Sequence, residues 1–101
     1  MKQKLLILIA LCTIAISMQA QKKTTVKGQI RDDTGFTLPG VTIVEKGSSN
    51  GTVTDIDGNY SLEVEDVNEA IFIFSFIGFE TQEIPVLGKS SINIELAPSL
   101  S

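Results

Sequence analysis

The chain has 101 residues, twelve acids against eight lysines and arginines, one cysteine and no histidine. That length holds one domain. Lacking histidine, it has neither the commonest general base nor the commonest neutral metal ligand, and its acidic balance argues against nucleic acid and anionic lipid head groups as partners.

Met1–Ala20 begins with Met-Lys-Gln-Lys, continues as LLILIALCTIAIS and ends on Met-Gln-Ala. A basic start, an apolar core and a small residue at the junction predict a signal peptide cleaved after Ala20. The apolar run is shorter than the roughly 20 residues a membrane anchor needs. Cys12 follows Leu11 rather than a small residue, which argues against lipid attachment there. Losing Lys2 and Lys4 with the leader leaves six basic residues against twelve acids, a net charge of −6, and no cysteine. Disulfides, thiolate metal sites and thiol nucleophiles are thereby excluded from the mature chain.

Residues 21–24 read as a polar lead-in. Thr25–Arg31 alternates, with Val26, Gly28 and Ile30 on the buried face of a strand. Gly28 there marks close backbone approach or a bulge. Asp32-Asp33-Thr34-Gly35 and Leu38-Pro39-Gly40 are turn chemistry. Val41–Glu45 is the next strand, with Val41 and Ile43 inward. Gly47–Gly51 is a hairpin loop, with Asn50-Gly51 read as its turn rather than as a glycosylation acceptor. Thr52–Thr54 is a short strand. Asp57-Gly58 marks a second hairpin turn, from Asp55 to Asn59. Tyr60, Leu62 and Val64 face inward from the strand that follows, and Glu65–Glu69 is an acidic loop.

Ala70–Glu80, AIFIFSFIGFE, is the stretch around which the domain must be built. Phe72, Phe74 and Phe76 point one way; Ile71, Ile73 and Ile77 point the other. Apolar side chains on both faces predict a central strand covered on both faces. Gly78 ends its pairing or makes a bulge. Phe79–Ile84 is a weaker strand stopped by Pro85. Leu87–Ser90 turns, Ser91–Leu96 carries Ile92, Ile94 and Leu96 inward, and Pro98 ends it. The count is seven strands with no amphipathic helical stretch, and the class is an all-β sandwich. The domain is expected over 25–97, with 98–101 as a tail.

No catalytic, cofactor-binding or metal-ligating residue is assigned. Asp55, Asp57 and Asn59 have oxygen-donor chemistry, but Gly58 is misplaced for a calcium loop, and a turn is the simpler reading. A serine-type hydrolase has no base partner. Paired-carboxylate chemistry needs a cleft flanked by acids, and these acids lie in turns or on outward strand positions.

Four motifs carry a resemblance: Gly28–Asp32 (GQIRD), Leu38–Ile43 (LPGVTI), Gly51–Tyr60 (GTVTDIDGNY) and Phe74–Gln82 (FSFIGFETQ). Together they closely resemble the carboxypeptidase regulatory-like domain at the N-terminus of SusC/RagA-type TonB-dependent receptors of Bacteroidetes, over about Thr24–Ala97. The resemblance implies a seven-stranded, transthyretin-like β-sandwich without catalysis, cofactor or metal. It places the domain on the periplasmic side of the outer membrane, with envelope import proteins as partners, no nucleic acid and no membrane span after signal cleavage. In such receptors a TonB box, plug and barrel follow; this sequence carries none of them. A truncated gene, a fragment and a free-standing module are the expectations. The alternative function is a secreted or envelope sandwich that binds a glycan or protein. The surfaces expected to serve are the loops Asp32–Gly40, Gly47–Gly51 and Glu65–Glu69, together with exposed strand edges.

Overall fold

The computed structural model describes residues 22–100. Seven strands run β1 (Thr24–Asp32), β2 (Thr42–Glu45), β3 (Gly51–Val53), β4 (Asn59–Val64), β5 (Ile71–Ser75), β6 (Gln82–Pro85) and β7 (Ile94–Leu96). They form two sheets, ordered β4-β1-β7 and β3-β2-β5-β6. This is the seven-strand sandwich that the alternation predicts. The signal-peptide reading falls on Met1–Ala20, outside the described residues.

Alternation decides what is buried. Val26 and Ile30 of β1, Tyr60, Leu62 and Val64 of β4, and Ile92 and Leu96 face Val41, Ile43, Phe72, Phe74 and Val86 from the other sheet. Phe74 sits edge-on to Tyr60, with ring centroids 5.8 Å apart, and to Phe72 at 6.2 Å. Aromatic pairs favour this geometry because a positive ring edge meets a negative face.

Pairing is antiparallel with one exception. β1 pairs with β4, from Thr24 opposite Val64 to Gln29 opposite Asn59. β2 pairs with β3 and β5, and β5 with β6. β7 instead lies parallel to β1, with Ile30 opposite Ile94 and Asp32 opposite Leu96. The first and last strands are therefore neighbours running the same way.

Five expectations need correction. β5 is interior to its sheet, but only its even face is sealed: Phe72 and Phe74 are fully buried, while Ile71 and Ile73 are half-exposed on the outside. Val44 and Glu83, opposite Ile73 on the flanking strands, give that face its partial cover. Ile77 is not on the strand; it sits 91% exposed in a turn closed by the Phe79 N–H donating to the Phe76 carbonyl. β6 begins at Gln82 and includes Pro85, which an edge strand tolerates because one side of its ladder is free. Asn50-Gly51 is not the turn of its loop: Gly47 holds the positive φ, and Gly51 already belongs to β3. Finally, the Asp55–Asn59 turn does not close a hairpin within one sheet. It carries the chain from β3 of one sheet to β4 of the other.

Gly28 is a close approach, as its place in the strand predicts. A Cβ there would lie 1.8 Å from the Ile92 carbonyl oxygen and 2.7 Å from the Tyr60 ring. The Tyr60 hydroxyl donates to that same carbonyl at 2.7 Å. β1, β4 and the segment entering β7 thus meet at one point that admits only glycine.

Candidate functional site

The loops fall into two groups, one at each end of the sandwich. At the end where β1 starts, the 46–50, 65–70 and 86–90 segments are joined by backbone bonds: Lys46 N–H to Ile71 C=O, Val86 N–H to Ala70 C=O and Gly88 N–H to Val67 C=O. This entry end brings together the predicted Gly47–Gly51 and Glu65–Glu69 loops. With Lys23, Glu45 and Glu63 they line an open polar cleft of about 660 Å³. At the end where β1 finishes, the Leu38 N–H donates to Ile30 C=O, Ile30 N–H to Gly58 C=O, Gly40 N–H to Thr54 C=O and Ser99 N–H to Gly78 C=O. This exit end holds the predicted Asp32–Gly40 loop beside two segments that the sequence does not mark as contact surfaces, 54–58 and 76–80. Thr54 buries its hydroxyl there, donating to Leu38 C=O at 2.6 Å and accepting from Val41 N–H at 2.9 Å.

Two carboxylates build the exit-end turns. Asp32 Oδ1 accepts from the Thr34 hydroxyl at 2.6 Å, the Thr34 N–H at 2.8 Å and the Phe36 N–H at 3.0 Å. The Thr34 hydroxyl leads in holding the Asp32 carboxyl below the usual carboxylate range, with backbone donors helping and partial desolvation opposing. Asp55 Oδ1 accepts the N–H groups of Asp57 and Asn59, both at 2.9 Å. The oxygen-rich 55–59 loop thus spends a carboxylate oxygen on its own backbone. Among the described residues no group of three or more acidic side chains is placed to hold a metal ion.

The strand edges are less open than a strand count implies. Asn50 Nδ2 donates to the Glu63 carbonyl at 2.7 Å and to Glu45 Oε1 at 3.0 Å. At the other end of β4, the Asp55 N–H donates to the Asn59 carbonyl. The β7 edge is covered likewise: Gln82 Nε2 donates to Glu95 C=O at 2.7 Å, and the Glu80 N–H donates to Ala97 C=O. Both open edges of the three-stranded sheet are therefore stitched to the four-stranded sheet by an amide side chain and a backbone bond. Such covering removes the row of free N–H and C=O groups through which edges pair with other chains. The sequence offers no signal for it, because which carbonyl an amide reaches depends on how the sheets stack.

Comparison with known proteins agrees with this architecture. The model of the CarboxypepD_reg-like domain family matches residues 26–101, all but the start of β1. The chain belongs to the CarboxypepD_reg-like domain family. This CarboxypepD_reg-like domain is 41% identical over 88 residues to the TonB-dependent receptor SusC of Bacteroides thetaiotaomicron, covering 87% of this chain and 8% of that one. It is 40% identical over 93 residues to the TonB-dependent receptor P3 of Formosa agariphila, covering 92% and 9%. With the TonB-dependent receptor P39 of the same organism the identity is 38% over 84 residues, covering 83% and 8%. The chain thus spans less than a tenth of the length of the curated relatives it matches. Among solved structures, a chain of a type II Cohesin-X-Dockerin complex from Acetivibrio cellulolyticus superposes with a TM-score of 0.56 at 23% identity, over 73% of this chain and 51% of that one. That likeness is one of fold. Among the described residues no helix is long and apolar enough to cross a membrane.

Proposed function

We propose that this chain is a non-catalytic interaction module of the bacterial envelope, exported by its leader and acting on the periplasmic side of the outer membrane. The observation that supports this reading most is the match to TonB-dependent receptors. It takes in 83–92% of this chain and only 8–9% of theirs, so the shared unit is one small domain of a much larger assembly. Its partners are then protein components of TonB-dependent import. The chemistry is consistent with binding rather than turnover. The chain has no histidine, and its one cysteine, Cys12, lies in the stretch read as a leader. Two of the acids at the exit end, Asp32 and Asp55, serve their own turns.

A second reading, a glycan-binding envelope sandwich, draws support from the entry-end cleft, whose Ser48, Ser49, Asn50, Glu45 and Glu63 offer the hydroxyl, amide and carboxylate groups that sugars bond. A pull-down from a Bacteroidetes envelope extract separates the two. Recovery of TonB-dependent receptor or import components is the expected result. Polysaccharide recovered alone, with micromolar affinity by calorimetry, would overturn the first reading in favour of the second. Turnover of ester, peptide or glycoside substrates would overturn both. Export itself is read by intact mass: the periplasmic form should start at Gln21, without a diacylglycerol adduct on Cys12.

A further inference from the structure

Three turns of the exit end carry large apolar side chains outward: Phe36 is 73% exposed, Ile56 84% and Ile77 91%. Val53 and Leu100, also exposed, belong to the same end, and among the described residues Leu87 is the one large exposed apolar residue at the other. Single exposed apolar residues are ordinary; several on adjoining loops of one end mark a contact surface. The turns that hold them are fixed. Asp32 Oδ1 locks the Phe36 backbone, Asp55 Oδ1 locks the loop bearing Ile56, and the Phe76–Phe79 bond closes the turn bearing Ile77. A surface already ordered loses little entropy on binding.

Charge says what covers it. The exit end carries Asp32, Asp33, Asp55, Asp57 and Glu80 against Arg31 alone. The Arg31 guanidinium is occupied, donating to Gly35 C=O at 2.8 Å and to Gln29 Oε1 at 2.7 Å. None of these acids is in an ion pair among the described residues, where the one such pair is Lys46 with Glu83. Lys22, Lys23, Lys46 and Lys89 all lie toward the entry end, where they offset Glu45, Glu63, Glu65, Asp66 and Glu69; the acids of the exit end have no such offset.

We propose that the exit end docks a polypeptide segment presenting an apolar side chain flanked by lysine or arginine. This deepens the interaction-module reading and rests on it. A second copy docked about a two-fold axis is disfavoured, because five acids would meet five acids. An anionic membrane surface is disfavoured for the same reason. Among the three most exposed apolar side chains a sugar would find one aromatic ring, Phe36, and two aliphatic tips.

The test is an NMR titration of the ¹⁵N-labelled chain with short peptides of Lys/Leu, Glu/Leu and Lys/Ser composition. The Lys/Leu peptide should shift amides at 33–36, 55–57 and 77–80, with an affinity that falls as salt rises. The Glu/Leu peptide should shift none, and the Lys/Ser peptide should bind about tenfold more weakly, the factor of a few buried methylenes. The double variant Phe36→Ser, Ile77→Ser removes only exposed side chains, so it should fold and should lose about tenfold or more in Lys/Leu affinity. Shifts confined to 45–50 and 63–65, equal affinity for the Lys/Ser peptide, or undiminished binding by the variant would overturn the proposal. So would a dimer in sedimentation that the double variant abolishes. In the envelope pull-down, undiminished recovery of receptor components by the variant would overturn this surface and leave the module reading standing.

Discussion

Tyr60 concentrates several constraints in one side chain. Its ring packs against Phe74 and over Gly28, and its hydroxyl donates to the Ile92 carbonyl. Burial pushes the phenol from 10.0 up to about 12. A folded-state value above the unfolded one means the neutral form is favoured by folding. Stability is therefore complete below pH 10 and is lost as the pH rises toward 12. Denaturant midpoints across this range should show that decline, and Tyr60→Phe should flatten it. At neutral pH the same substitution should cost about 1 kcal/mol for the lost hydrogen bond. Opposite it, Gly28→Ala forces a methyl group into a backbone oxygen that is held in place by Tyr60. We expect a loss of about 3 kcal/mol or more, read as a fall in the denaturant midpoint or failure to fold. Gly58 is doubly constrained, with φ at +77° and the Ile30 carbonyl 2.7 Å from where a Cβ would stand. The Asp-Gly turn chemistry made its backbone conformation legible; the collision with Ile30 comes from the neighbouring strand and was not.

At the scale of elements, β5 tests the core. Phe74 is fully buried between two aromatic rings, so Phe74→Ala should cost about 3–5 kcal/mol. Glu63 on β4 is exposed, so Glu63→Ala should cost about half a kcal/mol or less. Chemical denaturation of the two variants compares them; equal small losses would contradict the placement of β5. Strand identity was readable because alternation with a period of two is local, and Val26/Ile30, Tyr60/Leu62/Val64 and Phe72/Phe74 keep it. Pairing was not, because it is written in contacts between residues far apart in sequence: Asn50 with Glu63, Gln82 with Glu95, β1 with β7. The Asn50 and Gln82 amides give a further expectation. Replacing both with alanine should cost about 1 kcal/mol per bond and uncover the edges of the three-stranded sheet. Sedimentation at rising concentration should then show self-association that the parent chain lacks. The Lys46–Glu83 pair, 3.0 Å long and half-exposed, is no substitute for these stitches; surface pairs contribute about 1 kcal/mol or less.

For the whole molecule, the two ends have different characters. The entry end gathers lysines, the acidic Glu65–Glu69 loop and a polar cleft; the exit end gathers acids without lysines and outward apolar tips. Three loops, Asp32–Gly40, Gly47–Gly51 and Glu65–Glu69, were foreseen as contact surfaces; the 54–58 and 76–80 segments and the division between the ends were hidden, since they follow from which strand each loop leaves. The parallel placement of β7 beside β1 has a mechanical consequence. Two neighbours running the same way put Lys22 at one pole and Leu100 at the other. Tension applied between the two termini drags β1 and β7 past each other along their length. Beyond the Ile30–Asp32 ladder, that contact includes Lys27 N–H to Ser90 C=O, Ile92 N–H to Lys27 C=O and Gln29 N–H to the Asn93 side chain. Under such shear these bonds share the load and give way together, rather than opening one after another like a zipper. Single-molecule stretching from the two ends should accordingly show one abrupt rupture, and Asn93→Ala should lower the force at which it occurs. Held in this way, the sandwich resists a pull between its poles with its whole β1–β7 contact up to that rupture force.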